Sequence, residues 1–187
     1  MILLQVVVSG LLMGAVYALF SSGLTLIWGM MNVINFAHGD FVMLAMYVAF
    51  FAFTMLGLGP ALFVPLAAVV LFGFGVLVYL ALVRHVMRGP MLAQIISTFG
   101  LALVMQYTAL WAFSANFVSL PNTLAGGVYD LGGIRVSEAR LIAGATALVL
   151  TVGLHALLTR TDLGSRMLAV SEDRVAAALV GIRPDRM

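Results

Sequence analysis

Long stretches of this chain carry no charge. Residues 1–39, 41–83, 89–129 and 141–159 contain no Asp, Glu, Lys or Arg. A helix that crosses a bilayer needs about 20 mostly apolar residues, so these stretches hold about five spans. We place them near 3–27, 34–56, 61–83, 91–114 and 139–158. The apolar runs are continuous, as in Val6-Val7-Val8 and over residues 66–72, and lack the strict alternation of a transmembrane barrel strand. The expected fold class is all-α, a polytopic integral membrane helical bundle. Of the 187 residues 64% are hydrophobic and 9% charged, against roughly a quarter charged in an average soluble domain. A soluble globule of this size cannot hide so much apolar surface.

Composition also excludes chemistry. There is no Cys, which removes disulfides, zinc-thiolate sites and cysteine nucleophiles. There is no Lys, so neither a P-loop nor a Schiff-base lysine can be built. No cofactor is expected on this chain, and if ATP drives it another chain hydrolyses the ATP. The net charge of +2, with no basic cluster, gives no footprint for nucleic acid. No catalytic residue and no metal site are expected, because the sequence offers no paired carboxylates, nucleophile–base pair or ligand cluster. His38 and Asp40, two residues apart, point away from each other on a helix.

The few charges set an orientation. The connector 84–90 and the tail from Arg160 hold seven of the nine Arg. The positive-inside rule assigns both to the cytoplasm. The N-terminus has no basic leader region and its apolar stretch is long, so it reads as a retained first span lying with its start outside. The outer loop, 115–138, carries turn signals at Pro121-Asn122, Gly126-Gly127 and Gly132-Gly133. Residues 128–131 and 134–136 suit a small hairpin. Ser137 suits the N-cap of the last span, with Glu138 in its first turn. A plain connector is the simpler reading of this loop, and a docking surface for an external partner the alternative.

Small residues form two stripes, Gly10/Gly14/Ala18/Ser22 and Ala139/Ala143/Ala147/Thr151, which let helix backbones approach in lipid. Packing within one bundle is the plainer reading and an interface with a second subunit the sharper one. Pro65 is expected in the first turn of span three, and Gly73 and Gly75 offer places for a bend.

Two segments break the apolar pattern. The first is Asn32-Val33-Ile34-Asn35-Phe36-Ala37-His38-Gly39-Asp40. It reads either as a turn between spans, with Asn35 capping the second helix, or as a broken helix lining a cavity. Intramembrane ionisable residues are functional candidates. The second is the tail, where nine of the 16 charges lie in the last 28 residues. Ser171 is expected to cap a short helix over 171–181, with the acids Glu172 and Asp173 in its first turn and Gly181 at its stop. Val175, Ala178 and Leu179 share a face, which suits docking into a groove or lying on the membrane.

These segments resemble the permease subunits of branched-chain amino acid ABC importers. The resemblance runs from Gly23-Leu24-Thr25-Leu26-Ile27-Trp28-Gly29 to Gly181-Ile182. It is most specific in Ile34-Asn35-Phe36-Ala37-His38-Gly39-Asp40. Arg88-Gly89-Pro90, Ile96-Ser97-Thr98-Phe99-Gly100-Leu101 and Thr161-Asp162-Leu163-Gly164 also match, as do Glu172-Asp173 and Ala176-Ala177-Ala178-Leu179-Val180-Gly181-Ile182. The resemblance implies a single transmembrane permease domain over 1–187, with 159–187 as its cytoplasmic coupling segment, in a bacterial inner membrane. It implies a second related permease, two cytoplasmic ATP-binding cassette ATPases that bind the ATP, and an extracytoplasmic substrate-binding protein as partners.

Residues Glu172, Asp173, Arg174, Ala176, Ala177, Leu179 and Gly181 would dock on an ATPase. Asn35, Phe36, His38, Gly39 and Asp40 would mark the substrate path. The chain departs from the pattern at Val175, where the coupling motif has Glu. It departs also at Leu168, where relatives often have Arg, and at Ala45-Met46, which replaces Gly-Ala. The family continues past this segment with more membrane helices, so the expectation is the N-terminal part of a longer permease that does not transport alone. The alternative substrates are urea, short amides or other amino acids. The alternative of another class is an inactive truncated scaffold.

Overall fold

In the computed structural model, residues 2–87, 89–114, 116, 118–120, 126–130 and 135–183 are described, and within them the charge-free stretches are mostly helical. Among these residues, five helices are long and apolar enough to cross a membrane. They are Leu3–Met31, His38–Leu56, Pro60–Val86, Met91–Phe113 and Glu138–Arg160. The all-α reading is borne out. Arg88, Pro121-Asn122, Leu131, Gly132-Gly133, Ile134 and residues 184–187 lie outside the described residues.

Helix α1 (Ile2–Met31) overruns its expected end, because Trp28-Gly29-Met30-Met31 offers no polar stop. It ends at Asn32, whose φ of 53° is left-handed, a conformation Asn tolerates. Helix α2 (His38–Leu56) closes at Gly57, φ 64°. The N–H groups of Gly57 and Leu58 donate to the carbonyls of Phe53 and Ala52 at 3.0 and 3.1 Å, which satisfies the last-turn acceptors. Helix α3 (Pro60–Val78) has Pro60 at its start, where a missing N–H costs little. Pro65 lies inside the helix instead of in its first turn, since the helix begins at Pro60. The rod continues through a π-helical turn over Tyr79–Val83 and a last α turn over Arg84–Val86. Its irregularity falls in that π turn, beyond Gly73 and Gly75, which lie in α-helix. Helix α4 spans Met91–Phe113.

The expected hairpin is present as β1 (Val128–Asp130) antiparallel to β2 (Arg135–Ser137), with Tyr129 opposite Val136. Three helices follow: α5 (Glu138–Arg160), α6 (Asp162–Glu172) and α7 (Arg174–Leu179). Ser137 occupies the cap position of α5, but its side chain makes no cap bond. Glu138 supplies the tie in its place. Its N–H donates to the Gly127 carbonyl at 2.9 Å, and its Oε2 accepts from the Gly127 N–H at 3.2 Å.

The chain forms two compact units, residues 1–32 with 125–187, and residues 33–124. In the first, α5 packs on α1 and on α6. A Cβ on Gly144 would lie 2.6 Å from Leu12 Cδ2 and 3.3 Å from Leu12 Cα, so the two backbones come close there. The buried positions on α5 are Gly144 and Ala147, while Ala139 and Ala143 are exposed. The contact face thus mixes i+3 and i+4 steps, and the strict i+4 stripe expected from the sequence drifts off it. On α1, Gly10, Gly14 and Ala18 are exposed. At about 100° per residue they lie on the face opposite Leu12. Gly10 borders an open groove of about 540 Å³ with Gln5, Val6, Ser9, Met13 and Arg140.

In the second unit α2 packs against α3 and α4. Its core is Ala37, Ala102 and Met105, with Phe41, Leu44 and Phe74 against it. Tyr47 stacks on Phe113 with ring centroids 4.4 Å apart.

Candidate functional site

The polar break over 32–40 is irregular backbone that leads into α2. Asn35 does not cap α2: Ala37 holds that position, without a side-chain cap bond. The Asn35 Oδ1 accepts instead from the Ala37 N–H at 3.1 Å, which closes a turn just before the helix. Asn35 therefore closes the turn, and the cap position of α2 lies two residues later than expected. Ala37 is fully buried against Ala102 and Met105. Phe36 is 52% exposed, Gly39 is exposed with open space around it, and His38 is half-buried.

Helix α4 holds this segment at two points. The Thr98 Oγ1 donates toward the Ile34 carbonyl at 3.0 Å, and the Gln106 Nε2 donates to Asp40 Oδ1 at 2.9 Å. Asp40 is 8% exposed and Thr98 3%. The lone carboxylate is thus paired with an amide inside the apolar helices, which offsets part of its burial cost. Sequence reasoning missed Thr98 and Gln106 as the partners of Ile34 and Asp40. Their signal was polarity inside an otherwise apolar span.

The tail is built from the corner after α5. Thr161 caps α6: its Oγ1 accepts from the Gly164 N–H at 3.0 Å and donates to the Leu157 carbonyl at 2.6 Å. Residues 162–172 are helical, so Ser171 lies within α6 and donates to the Leu168 carbonyl at 2.7 Å. The expected helix over 171–181 is therefore corrected. The cap is Asp173, whose Oδ1 accepts from the N–H groups of Val175 and Ala176 at 2.8 and 3.0 Å. Helix α7 covers only Arg174–Leu179. Gly181 does stop it, with φ 87°, and the Ile182 N–H returns to the Ala177 carbonyl at 3.0 Å.

Of the expected docking residues, Ala177 is buried, while Glu172, Asp173, Arg174, Ala176, Leu179 and Gly181 are exposed. Val175, Leu179 and Val180 are 71%, 84% and 76% exposed. A short capped helix thus carries large uncovered apolar side chains. The signature residues fall in the second unit and the tail residues in the first. Among the described residues, no group of three His, Asp or Glu stands together to hold a metal.

Five membrane-length helices among the described residues, with an irregular polar segment tied to α4 and a capped tail helix whose apolar side chains are exposed, define a multi-pass helical membrane protein. A family model described as the permease component of the branched-chain amino acid transport system matches residues 6–187, and the chain belongs to that family. The chain is 29% identical to the high-affinity branched-chain amino acid transport system permease protein BraD of Pseudomonas aeruginosa, over 98% of its own length and 64% of BraD. It is 25% identical to the permease protein LivH of Escherichia coli, with the same coverage of each chain. The chain thus spans about 64% of the length of these relatives. No solved structure matches it.

Proposed function

We propose that this chain is the N-terminal part of a transmembrane permease subunit of an ATP-binding cassette importer, moving branched-chain amino acids across the bacterial inner membrane. Family membership supports the substrate class. The observation that carries the coupling role is the exposed apolar side of α7, where Val175, Leu179 and Val180 stand uncovered on a capped helix. Such a face fits an apolar groove on a soluble partner. In this reading two cytoplasmic ATPases bind and hydrolyse ATP and move α7. A second related permease completes the path, and an extracytoplasmic binding protein delivers substrate. The Arg-rich connector and tail face the cytoplasm. The chain does no chemistry of its own.

Asn35 and His38 are the groups we assign to the substrate headgroup, in a path otherwise apolar enough for Leu, Ile and Val side chains. Their test is leucine uptake by the full-length permease in its assembled transporter. Normal uptake by both Asn35→Ala and His38→Ala removes them from the path. For coupling, Leu179→Asp changes an 84% exposed side chain, so the helix survives while docking fails. Loss of co-purifying ATPases is expected, and unchanged co-purification refutes the assignment. Ala177→Glu is less informative, because Ala177 is buried at 3% and the change disturbs packing as well.

A further inference from the structure

Asp40 is the only charged residue in the first 83 positions. It lies in α2 at 8% exposure, and an unpaired carboxylate there is costly. Gln106, its partner at 2.9 Å, stands in the charge-free span α4 and is itself exposed. The second tie, at Thr98, has a different character. Its Oγ1 lies 3.0 Å from the Ile34 carbonyl, 3.0 Å from the Gln94 carbonyl and 3.2 Å from the Ile95 carbonyl. One hydroxyl proton serves one acceptor at a time. Thr98 can therefore release Ile34 and return its proton to its own helix without leaving the hydroxyl unsatisfied. The two ties bracket the signature, Ile34 at its entry and Asp40 at its exit. Asn35, Phe36, Ala37 and His38 lie between them.

We propose that Thr98 and Gln106 are positioning residues that hold residues 34–40 as a clasp, shut at Asp40–Gln106 and exchangeable at Thr98–Ile34. Asp40 is then an anchor and not a group that meets substrate. The link to transport rests on the reading that Asn35 and His38 face the path; the clasp itself does not.

The experiment uses the full-length permease in its assembled transporter, in membrane vesicles. These 187 residues hold no Cys, so in a Phe36→Cys background the peptide that carries residue 36 reports the segment by its rate of reaction with N-ethylmaleimide, read on that peptide by mass spectrometry. Leucine uptake is read without the Phe36 change. Gln106→Leu removes the donor, and labelling is expected to rise roughly three- to thirtyfold, the range for one interhelical hydrogen bond in a membrane. Asp40→Asn keeps an acceptor for Gln106 and is expected to retain uptake.

Gln106→Glu sets two carboxylates together and is expected to lose uptake. Adding Asp40→Asn to it exchanges donor and acceptor, and is expected to restore both uptake and slow labelling. Thr98→Ser keeps the catch, whereas Thr98→Val raises labelling. A double variant no better than Gln106→Glu alone overturns the proposal. So does an Asp40→Asn that abolishes uptake with labelling unchanged, since Asp40 then acts by its charge. Labelling that follows the clasp while uptake stays normal supports the clasp and sinks the path assignment of the segment.

Discussion

Gly164 sits where the structure leaves least room. A Cβ on it would collide with the carbonyl oxygen of Leu157 and with the Cα and carbonyl oxygen of Leu158. All three are backbone atoms, so no rotamer change relieves the clash, and Gly164→Ala must drive α6 away from the end of α5. That movement also breaks the cap, because the Gly164 N–H donates to Thr161 Oγ1 at 3.0 Å. Overpacking of this kind costs about 1–3 kcal/mol, and a lost N-cap about 1 kcal/mol. The sum is about 2–4 kcal/mol. At about 2.1 cal/mol/K of unfolding entropy per residue, each kcal/mol lowers Tm by about 1.6 °C in a permease of roughly 300 residues, the length of the relatives, so a fall of roughly 3–6 °C is expected. The matched control is Gly153→Ala on α5, where a Cβ meets open space and the helix gains from Ala. The assay is thermal unfolding of the full-length permease purified in detergent, with both variants beside the parent. A Gly164→Ala variant that melts within about 2 °C of Gly153→Ala would refute the steric reasoning.

Two further outcomes test the same unit. Asp173→Ala removes the acceptor for the Val175 and Ala176 N–H groups and should destabilise α7 by about 1 kcal/mol. Faster hydrogen exchange at those two amides checks it, with Asp173→Ser retaining protection. Gly144→Ala should cost about 1–3 kcal/mol, because the new Cβ stands 3.3 Å from the Leu12 Cα, which a rotamer change cannot relieve. Gly10→Ala, on the open face of α1, should not lower the melting temperature and should raise it slightly, as at Gly153, because the helix gains from Ala.

The spans were legible because long charge-free stretches hold them, and the hairpin because its turn glycines flank short β-prone runs. Boundaries were less so. Nothing in Trp28-Gly29-Met30-Met31 distinguishes helix from loop, and the end of α1 depends on the left-handed Asn32. The tail misled for a reason that can be named. Both Ser171 and Asp173 are capping residues, and the choice between them depends on whether the preceding residues are already helical. Thr161 followed by Asp162 is a helix-start signature in its own right. Read that way, it places Ser171 inside a helix and leaves Asp173 as the cap. Thr98 and Gln106 were a different matter. Their partners, Ile34 and Asp40, lie more than sixty residues away in the chain, and only the packing of α2 on α4 brings them together. Asn35 was expected as the cap of α2, but its Oδ1 takes the Ala37 N–H and closes the turn before the helix instead.

The corner at Thr161 has a mechanical consequence. One hydroxyl bridges the last turn of α5 to the first turn of α6, and the Ser165 N–H adds a bond to the Thr161 carbonyl at 2.9 Å. With backbone against backbone at Gly164, the corner has no slack. At its other end α6 meets α7 through one extended residue, Asp173, at φ −151° and ψ 108°. The assembly is a crank with one stiff elbow and one bearing. A displacement of α7 that does not turn it about Asp173 is passed along α6 to the foot of α5 and to α1, which α6 also touches.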